Sequence, residues 1–449
     1  MHLVVRALLR RAPALLLALL AGCASTAHYP VNPARPVAQE AGYRLGSLPA
    51  GENSDSLAVI LTFSGGGARA AALAYGVLEE LRRQEITWEG RRRRLLDEVD
   101  LIYAVSGGSL VAGYYALRGE ALFDDFEARF LRRDNQTDLA GRVLSNLNRL
   151  SSPRFGRVEV LAEYLDETLF GGARYDAVIE RAQRPFVVIN ATDMSLGARF
   201  EFTQDQFDLI CADLGDFPLS RAVAASMAVP FVFGPLTLVN HAGDCAAQRQ
   251  PLLESLGRLS RREEQRAREL RTYLDAAGRP YVHLLDGGLS DNLGLRGPLE
   301  TVQPGHSRAP RSGLRGVRRV VFIVVNAESK ADLTPDRSAD VPTLGQQLKA
   351  VSDIPLNRYS FETAELLRST LEQWRAERAR RGLRPDADLH FHLVEVDPQR
   401  LADGRERDYF LAIPTTLSLT EEQSQRLRAV AARLLYESPE YQRLLEDLK

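Results

Sequence analysis

A serine between small residues is the feature of this sequence that most directly suggests chemistry. Ser106 follows the apolar run Val99–Val105 and precedes Gly107 and Gly108. A nucleophile elbow places a serine on a sharp turn between a strand and a helix, where only small neighbours fit. The segment Leu110–Leu117 would then direct the positive end of a helix towards a developing alkoxide. The alternative is a glycine-rich turn that only connects a strand to a helix.

A second glycine-rich turn, Gly65–Gly67, lies between an apolar run ending at Phe63 and the apolar segment Ala70–Leu81. Successive glycines leave backbone N–H groups uncovered, and such groups bind anions at a helix N-terminus. A dinucleotide site would need a second strand ending in an acid about 20 residues further on, and the charge-dense residues 82–98 do not predict one. The Lys that a phosphate-binding P-loop requires is absent. The remaining interpretation is an oxyanion hole, which needs a nucleophile beside it.

An aspartate is the third candidate for chemistry. Asp286 ends the apolar run Tyr281–Leu285 and precedes Gly287 and Gly288. An acid at a strand end can act as a base, but it can also cap the following helix. A conventional triad would need a histidine as well. None of the candidate histidines lies in a recognisable catalytic context: His241, His283, His306, His390 and His392.

Taken in chain order, these motifs resemble the patatin-like phospholipase family. The resemblance rests on Gly65–Gly67 with Arg69, on Ser106 with Gly108, and on Asp286–Gly288. Two further blocks agree with the family pattern: Asn190–Asp193 and Ala225–Pro230.

The resemblance implies a dyad of Ser106 and Asp286 that acts without a histidine, a metal or another cofactor. The serine would attack an acyl ester, the carboxylate would take its proton, and Gly65–Gly67 would form the oxyanion hole. Arg69 would orient this loop or contact a phosphate; the alternative is that it pairs with a nearby acid. The implied function is that of a serine acyl hydrolase of the phospholipase A or lysophospholipase type, acting on membrane lipids.

The resemblance covers residues 57–296 and departs from the family pattern at two positions. Ala104 replaces the usual first glycine of the serine motif, and Ala70 replaces the glycine that commonly follows the arginine. Alanine is small enough for both positions, so we expect altered turn geometry and retained function. The alternative function is a non-catalytic lipoprotein of patatin fold that binds lipid or acts as a scaffold, for which Ala104 is the only hint.

Strand-length apolar runs must position these motifs. Most of them are continuous and β-branched, which is typical of strands buried on both faces of a mainly parallel sheet. The sequence therefore predicts an α/β protein, a three-layer α/β/α patatin-like fold with a central mainly parallel sheet. The predicted strands are Leu57–Phe63, Val99–Val105, Pro185–Thr192, Tyr281–Leu285, Arg318–Asn326 and His390–Val396.

We predict one hydrolase domain over residues 55–449, with insertions near 120–180 and 246–280. Within the second insertion, Arg258–Arg271 mixes both charge signs at helical spacing, which favours a solvated helix over a membrane-facing one. A C-terminal helix over Thr420–Lys449 is expected on the outside of the domain.

The N-terminus indicates export and lipid attachment. A cluster of arginines precedes Ala12–Leu20, an apolar run shorter than the roughly 18 residues that a membrane-spanning helix needs. Leu20–Cys23 resembles the bacterial lipobox, whose cysteine carries a diacylglycerol. We therefore predict a signal peptide over residues 1–22 and a flexible tether over 23–54. An ordinary signal peptide followed by a chance cysteine is the alternative.

These features predict the protein's location and partners. Ala24 after Cys23 favours the outer membrane of a bacterial cell envelope, with the enzyme facing the periplasm and anchored to the membrane surface by lipid. A formal net charge of −2 gives no general attraction to nucleic acid. The expected substrate, a membrane lipid, is what the family resemblance implies. An exported compartment permits a disulfide between Cys211 and Cys245, and two buried free thiols are the alternative.

Overall fold

The protein was analysed as a computed structural model. The structure describes residues 27–38, 40–49, 51–245, 261–302, 316–330, 333–380 and 389–449. The described residues do not include the predicted signal peptide, the predicted lipidation site Cys23, His306 or residues 246–260 of the second insertion.

The six predicted strands are confirmed, each within one residue at either end. Their continuous apolar character is explained by burial, because every residue of the strands at 57–63, 186–193 and 319–325 is buried. The strands of the described chain are β1 (Leu57–Phe63), β2 (Glu85–Trp88), β3 (Arg91–Arg94), β4 (Val99–Val105), β5 (Phe186–Asp193), β6 (Arg199–Glu201), β7 (Leu236–Val239), β8 (Tyr281–Asp286), β9 (Arg319–Val325) and β10 (His390–Val396).

Eight of these strands form the central sheet, in the order β10-β9-β1-β4-β5-β8-β7 with β6 paired to β5. The first five strands of this order are parallel, whereas β6, β7 and β8 pair in antiparallel fashion. Because strands buried on both faces require a layer on each side, the fold is the predicted three-layer α/β/α arrangement.

Helices of very different lengths cover the sheet. The α-helices of the described chain are α1 (Gly67–Arg83), α2 (Gly107–Arg118), α3 (Leu122–Phe126), α4 (Asn135–Ser145), α5 (Leu147–Leu150), α6 (Arg157–Leu165), α7 (Tyr175–Arg181), α8 (Gln204–Phe207), α9 (Leu219–Ser226), α10 (Arg261–Arg271), α11 (Gly288–Asp291), α12 (Arg296–Val302), α13 (Leu344–Arg380), α14 (Gly404–Ala412), α15 (Glu421–Glu437) and α16 (Pro439–Asp447). None of the described helices combines the length and the apolar character that crossing a bilayer requires.

Strand register brings the three predicted motifs to one edge of the sheet. Phe63 at the end of β1 pairs with Ala104 near the end of β4. Ala191 of β5 pairs with Asp286, although β8 runs in the opposite direction to β5. The turns after β1, β4 and β8 therefore meet at the carboxyl ends of the parallel strands, where open α/β sheets bind their ligands.

The described part of the segment predicted as a flexible tether packs against the domain. The amide of Tyr29 donates to Arg154 O at 2.6 Å, and Asn32 Nδ2 donates to Val239 O at 2.9 Å. Tyr43 is buried, and its hydroxyl accepts the amide of Val187 at 2.8 Å. The structure thus differs from the prediction, because individual polar and aromatic contacts fix a segment that has no periodic pattern.

A disulfide links Cys211 to Cys245, whose Cα atoms are 5.7 Å apart. The carbonyl of Cys211 also accepts the amide of Arg35 at 3.0 Å. Of the two alternatives left open by the sequence, the structure therefore contains the disulfide.

Three local expectations differ from the structure. The predicted C-terminal helix is two helices, α15 and α16, because Pro439 cannot continue a helix through its own position. Helix α10 is not fully solvated, since Arg266 and Leu270 are buried. Strands β2 and β3 form an antiparallel hairpin where the sequence predicted no strand; it lies outside the central sheet.

Candidate active site

Ser106 lies on a strained turn between β4 and α2. Its backbone has φ 50° and ψ −121°, a conformation that side-chain-bearing residues rarely adopt. Such strain costs about 1–3 kcal/mol and persists where the surrounding structure enforces it, often at functional sites. One restraint is visible: the Ser106 amide donates to Ser226 Oγ at 2.8 Å.

Close packing around the turn after Ser106 allows only glycine at the next two positions. A β-carbon on Gly107 would lie 2.1 Å from Gly67 O, and one on Gly108 would lie 2.7 Å from Phe63 Cβ. Any side chain here would therefore push the turn after β4 away from the turn after β1. Ala104, one of the two departures from the family pattern, is accommodated within the regular pairing of β4 with its neighbours.

Asp286 lies at the end of β8 and faces the serine. Ser106 Oγ donates to Asp286 Oδ2 at 2.8 Å, and the Gly288 amide donates to Oδ1 at 2.8 Å. The backbone amide of Asp286 donates to Ala228 O at 2.9 Å, which fixes the strand end. The structure thus brings together two residues that are 180 positions apart in the chain.

The environment of Asp286 changes its acidity. Burial raises the pKa of the Asp286 carboxyl to about 6, although the hydrogen bonds from Gly288 and Ser106 act in the opposite direction. Asp286 and Ser106 are each only 7% exposed. At neutral pH the carboxylate is therefore mostly ionised, yet it is a stronger base than an aspartate in water.

Two further blocks of the family pattern, Asn190–Asp193 and Ala225–Pro230, form hydrogen bonds with the backbone of the dyad residues. Ser226 Oγ, which accepts the Ser106 amide, donates in turn to Asn190 O at 2.6 Å. Thr192 Oγ1 donates to Asp286 O at 2.8 Å. Sequence patterns gave no means of seeing these contacts, because each of them joins segments that are far apart in the chain.

The glycine loop lies directly beside the serine. A β-carbon on Gly65 would be 3.2 Å from Ser106 Cβ. The Gly65 amide donates to Asn292 O at 3.1 Å, and the amide of Ala68 donates to Thr416 O at 2.8 Å. The structure thus differs from the prediction for Gly65, whose N–H is already bonded; only Gly66 and Gly67 keep amides without an acceptor in the described chain.

Arg69 holds the loop in place. Its Nε donates to Ala327 O at 3.0 Å, its Nη1 to Ile413 O, and its Nη2 to Thr415 Oγ1 at 3.2 Å. The side chain is 3% exposed, and burial lowers the pKa of Arg69 to about 10. Of the roles considered for Arg69, these contacts fit the orientation of the loop, and they leave little of the guanidinium for a phosphate.

The described histidines have other partners. His283 Nδ1 lies 2.9 Å from Thr237 Oγ1, and His241 Nε2 lies 2.8 Å from Asn32 O. His392 lies between Glu440 and Asp447. Among the described residues, no histidine forms a hydrogen bond with the serine or the aspartate.

A nucleophilic serine with a carboxylate as its hydrogen-bond partner, at the carboxyl edge of a parallel sheet, is an arrangement suited to acyl transfer. The sequence profile of the patatin-like phospholipase family matches residues 61–299, which is more than half of the chain. The chain therefore belongs to the patatin-like phospholipase family.

Solved structures with similar folds are distant. The human GIVD cytosolic phospholipase A2 is 13% identical, with a TM-score of 0.42 over 88% of this chain and 62% of that chain. This chain thus spans less than two thirds of that human protein. VipD from Legionella pneumophila is 11% identical, with a TM-score of 0.29 over 88% of this chain and 67% of that chain. Curated proteins include no significant match to this sequence.

Proposed function

We propose that this protein hydrolyses the acyl esters of membrane phospholipids or lysophospholipids through Ser106 and Asp286. The hydrogen bond of 2.8 Å from Ser106 Oγ to Asp286 Oδ2 carries the proposal. It has the length that a general base needs in order to take a proton from a nucleophile. The strained turn holds the serine in this position before any substrate arrives.

In the first half-reaction, Ser106 Oγ attacks the ester carbonyl carbon while its proton moves to Asp286. The tetrahedral intermediate collapses as the protonated Asp286 returns the proton to the leaving alcohol. An acyl group then remains on the serine. A carboxyl pKa of about 6 suits both steps, because the group is mostly ionised at neutral pH and can still be protonated during the reaction.

The free amides of Gly66 and Gly67 are the proposed oxyanion donors. They begin α1, so that the helix dipole adds to their positive potential. Removing one such donor in a known hydrolase costs about 3–4 kcal/mol of transition-state stabilisation. The hydrogen bond from the Gly65 amide to Asn292 O instead fixes the position of the loop beside the serine.

In the second half-reaction, a water molecule takes the place of the leaving alcohol. Asp286 accepts its proton as the oxygen attacks the acyl-enzyme, and the fatty acid departs while Ser106 regains its proton. No histidine is needed, since the same carboxylate serves both halves in turn.

A fluorophosphonate probe tests the nucleophile directly. Wild-type protein should become covalently labelled at Ser106, and Ser106→Ala should remove the label. Ser109→Ala is the matched control, because Ser109 is a buried serine in the first turn of the helix that follows Ser106, and its loss should leave labelling intact. Folded wild-type protein that stayed unlabelled and was inert towards short-chain nitrophenyl esters would support the scaffold alternative.

We also propose that Cys23 is lipidated and that the enzyme faces the periplasm from the bacterial outer membrane. The lipobox-like residues Leu20–Cys23 support this location, which would bring the enzyme to its substrate. Cys23→Ser should shift the protein from the membrane fraction to the soluble fraction, whereas Ala24→Ser should not. Membrane retention of the Cys23→Ser protein would contradict the proposal.

A further inference from the structure

A cavity outside the dyad opens where α10, α12 and α13 meet. Its volume is about 320 Å³, within the size range of sites for small ligands. Ala198, Leu299 and Leu366 supply apolar parts of its wall, and most of the remaining wall is charged. We call it the arginine cavity.

The carboxylates in the wall of the arginine cavity all have partners. Glu300 pairs with Arg199 at 3.0 Å, and Glu269 lies 3.7 Å from Arg266. Glu263 also takes part in an interaction. The acids of the wall are thus engaged with neighbouring groups.

Three arginines of the wall pair with no carboxylate in the described chain: Arg261, Arg262 and Arg296. Asp291 interacts electrostatically with Arg296, but its two oxygens accept the backbone amides of Leu295 and Arg296 at 3.1 and 2.7 Å. The lining residues thus comprise five arginines and three glutamates.

Arg296 has the properties of a preformed anion ligand. Its guanidinium lies 4.3 Å from the centre of the Tyr359 ring, which restricts its orientation. Its Nε is buried without any acceptor. A buried donor without a partner is destabilising, and an incoming acceptor would relieve this penalty. The planar fork of arginine donors matches the oxygens of a phosphate group.

Ser290 connects the arginine cavity to the dyad. It lines the cavity, and its Oγ lies 2.8 Å from Thr192 Oγ1. Thr192 Oγ1 in turn donates to Asp286 O at 2.8 Å. Two hydrogen bonds therefore join the cavity wall to the backbone carbonyl of Asp286, so the cavity neighbours the strand end that carries the dyad aspartate. In a phospholipid only a few covalent bonds separate an ester from the phosphate.

We propose that the arginine cavity binds the phosphate group of the lipid headgroup while the ester lies at Ser106, with Arg296 as the principal ligand. The substrate part of this inference rests on the proposed function. Arg69 was the sequence candidate for a phosphate contact, but its hydrogen bonds go to the chain itself. Occupation of the cavity would make the enzyme prefer phospholipids to neutral esters. Free inorganic phosphate has the same chemistry and would compete.

Arg296→Gln tests the substrate part of the proposal. With a monomeric dihexanoyl phospholipid, KM should rise about tenfold, because one charge-assisted phosphate contact is lost. With p-nitrophenyl butyrate, which has no phosphate, kcat/KM should not change. Arg91→Gln, in the exposed β2–β3 hairpin, is the matched control and should alter neither. Equal losses on both substrates, or no loss on either, would overturn the headgroup role.

Inorganic phosphate tests the cavity without reference to turnover. Phosphate should raise the melting temperature of wild-type protein and of Ser106→Ala alike, and it should have less effect on Arg296→Gln. It should also inhibit phospholipid cleavage competitively. Phosphate stabilisation that is unchanged in Arg296→Gln would overturn the site itself. If Ser106 fails to react with the fluorophosphonate while phosphate still binds through Arg296, the proposed function fails and the anion site stands.

Discussion

Two buried polar groups near the carboxyl edge of the sheet are held in opposite ways. The guanidinium of Arg69 donates to two carbonyls and a hydroxyl, which fix it between three segments of the chain. The carboxylate of Asp286 accepts only two hydrogen bonds and has no ion pair in the described chain. An ionised carboxylate has room for about four such bonds, so Asp286 is left under-stabilised.

The hydrogen bonding of Arg69 fits a structural role, and that of Asp286 fits a group that exchanges a proton. Three hydrogen bonds to separate segments immobilise Arg69 and, through it, the glycine loop. Incomplete hydrogen bonding in a buried position raises the pKa of Asp286 to about 6 and leaves it able to exchange a proton. The following changes would either remove this difference or measure it.

Asp286→Asn should have the largest effect on activity. The amide keeps the shape of the carboxylate but cannot take a proton, so we expect kcat to fall about 10⁴-fold. The melting temperature should stay within a few degrees of wild type or rise. Asp291→Asn is the matched control: this buried aspartate binds backbone amides, so its loss should lower stability and spare the chemical step. Near-normal rates in Asp286→Asn would show that another group is the base.

Arg69→Gln should affect stability more than chemistry. The change strands buried acceptors at Ala327 and Ile413, so we expect the free energy of unfolding to drop by about 3 kcal/mol in urea titrations. Arg69→Lys keeps the charge but not the fork of donors and should recover only part of the loss. A selective rise in KM for phospholipid with unchanged stability would instead assign Arg69 to the substrate phosphate.

The pH dependence of stability should reveal the cost of ionising Asp286. The folded protein holds the proton more tightly than the unfolded chain, because the carboxyl pKa rises from 3.8 to about 6 on folding. The Asp286 carboxyl therefore does not lower the free energy of unfolding below pH 4. Between pH 4 and 6 it lowers that free energy progressively, and above pH 6 the reduction stays at about 3 kcal/mol. Asp286→Asn lacks the cost, so its stability advantage over wild type should grow across this window.

The rate should follow the same ionisation in the opposite sense. For wild type, kcat should fall about tenfold per pH unit below pH 6, since the base must be ionised. A stability difference between wild type and Asp286→Asn that did not vary from pH 4 to 8 would contradict the assigned pKa.

Ser226→Ala should have the smallest effect. It removes the acceptor for the Ser106 amide and the donor to Asn190 O, each worth about 1 kcal/mol, so we expect kcat to fall about tenfold. Ser109→Ala, which removes only one contact to Ser226, should cost less. Equal effects of the two substitutions would mean that the strained turn does not depend on Ser226.

Sequence patterns were informative wherever local order determines structure. Continuous apolar runs predicted six of the eight strands of the central sheet, without β6 and β7, and small residues after them marked the turns at Ser106 and Asp286. The order of these motifs, through the family resemblance, also predicted that residues 180 positions apart would meet. The strands and turns follow from strand burial and the steric limits of a turn, whereas the meeting of serine and aspartate was implied only by the resemblance.

The contacts that decide which groups are free were not visible in the sequence. The acceptor for the Gly65 amide comes from Asn292, and the acceptors for Arg69 come from the ends of β9 and α14. A local pattern cannot show such a partner. For the same reason the segment around Tyr43 was predicted to be flexible, although it is fixed by individual contacts with the strand at Val187.

The backbone at Thr416 has a consequence for how this protein can be shortened. Its carbonyl binds the Ala68 amide and leaves no room for a β-carbon on Gly67. The family match ends at residue 299, well before this point. A chain cut at the end of the match would retain both members of the dyad. It would lack β9, β10 and the Thr416 carbonyl that binds the end of the glycine loop. We expect such a fragment to be insoluble or inert, so the smallest active unit extends beyond Thr416.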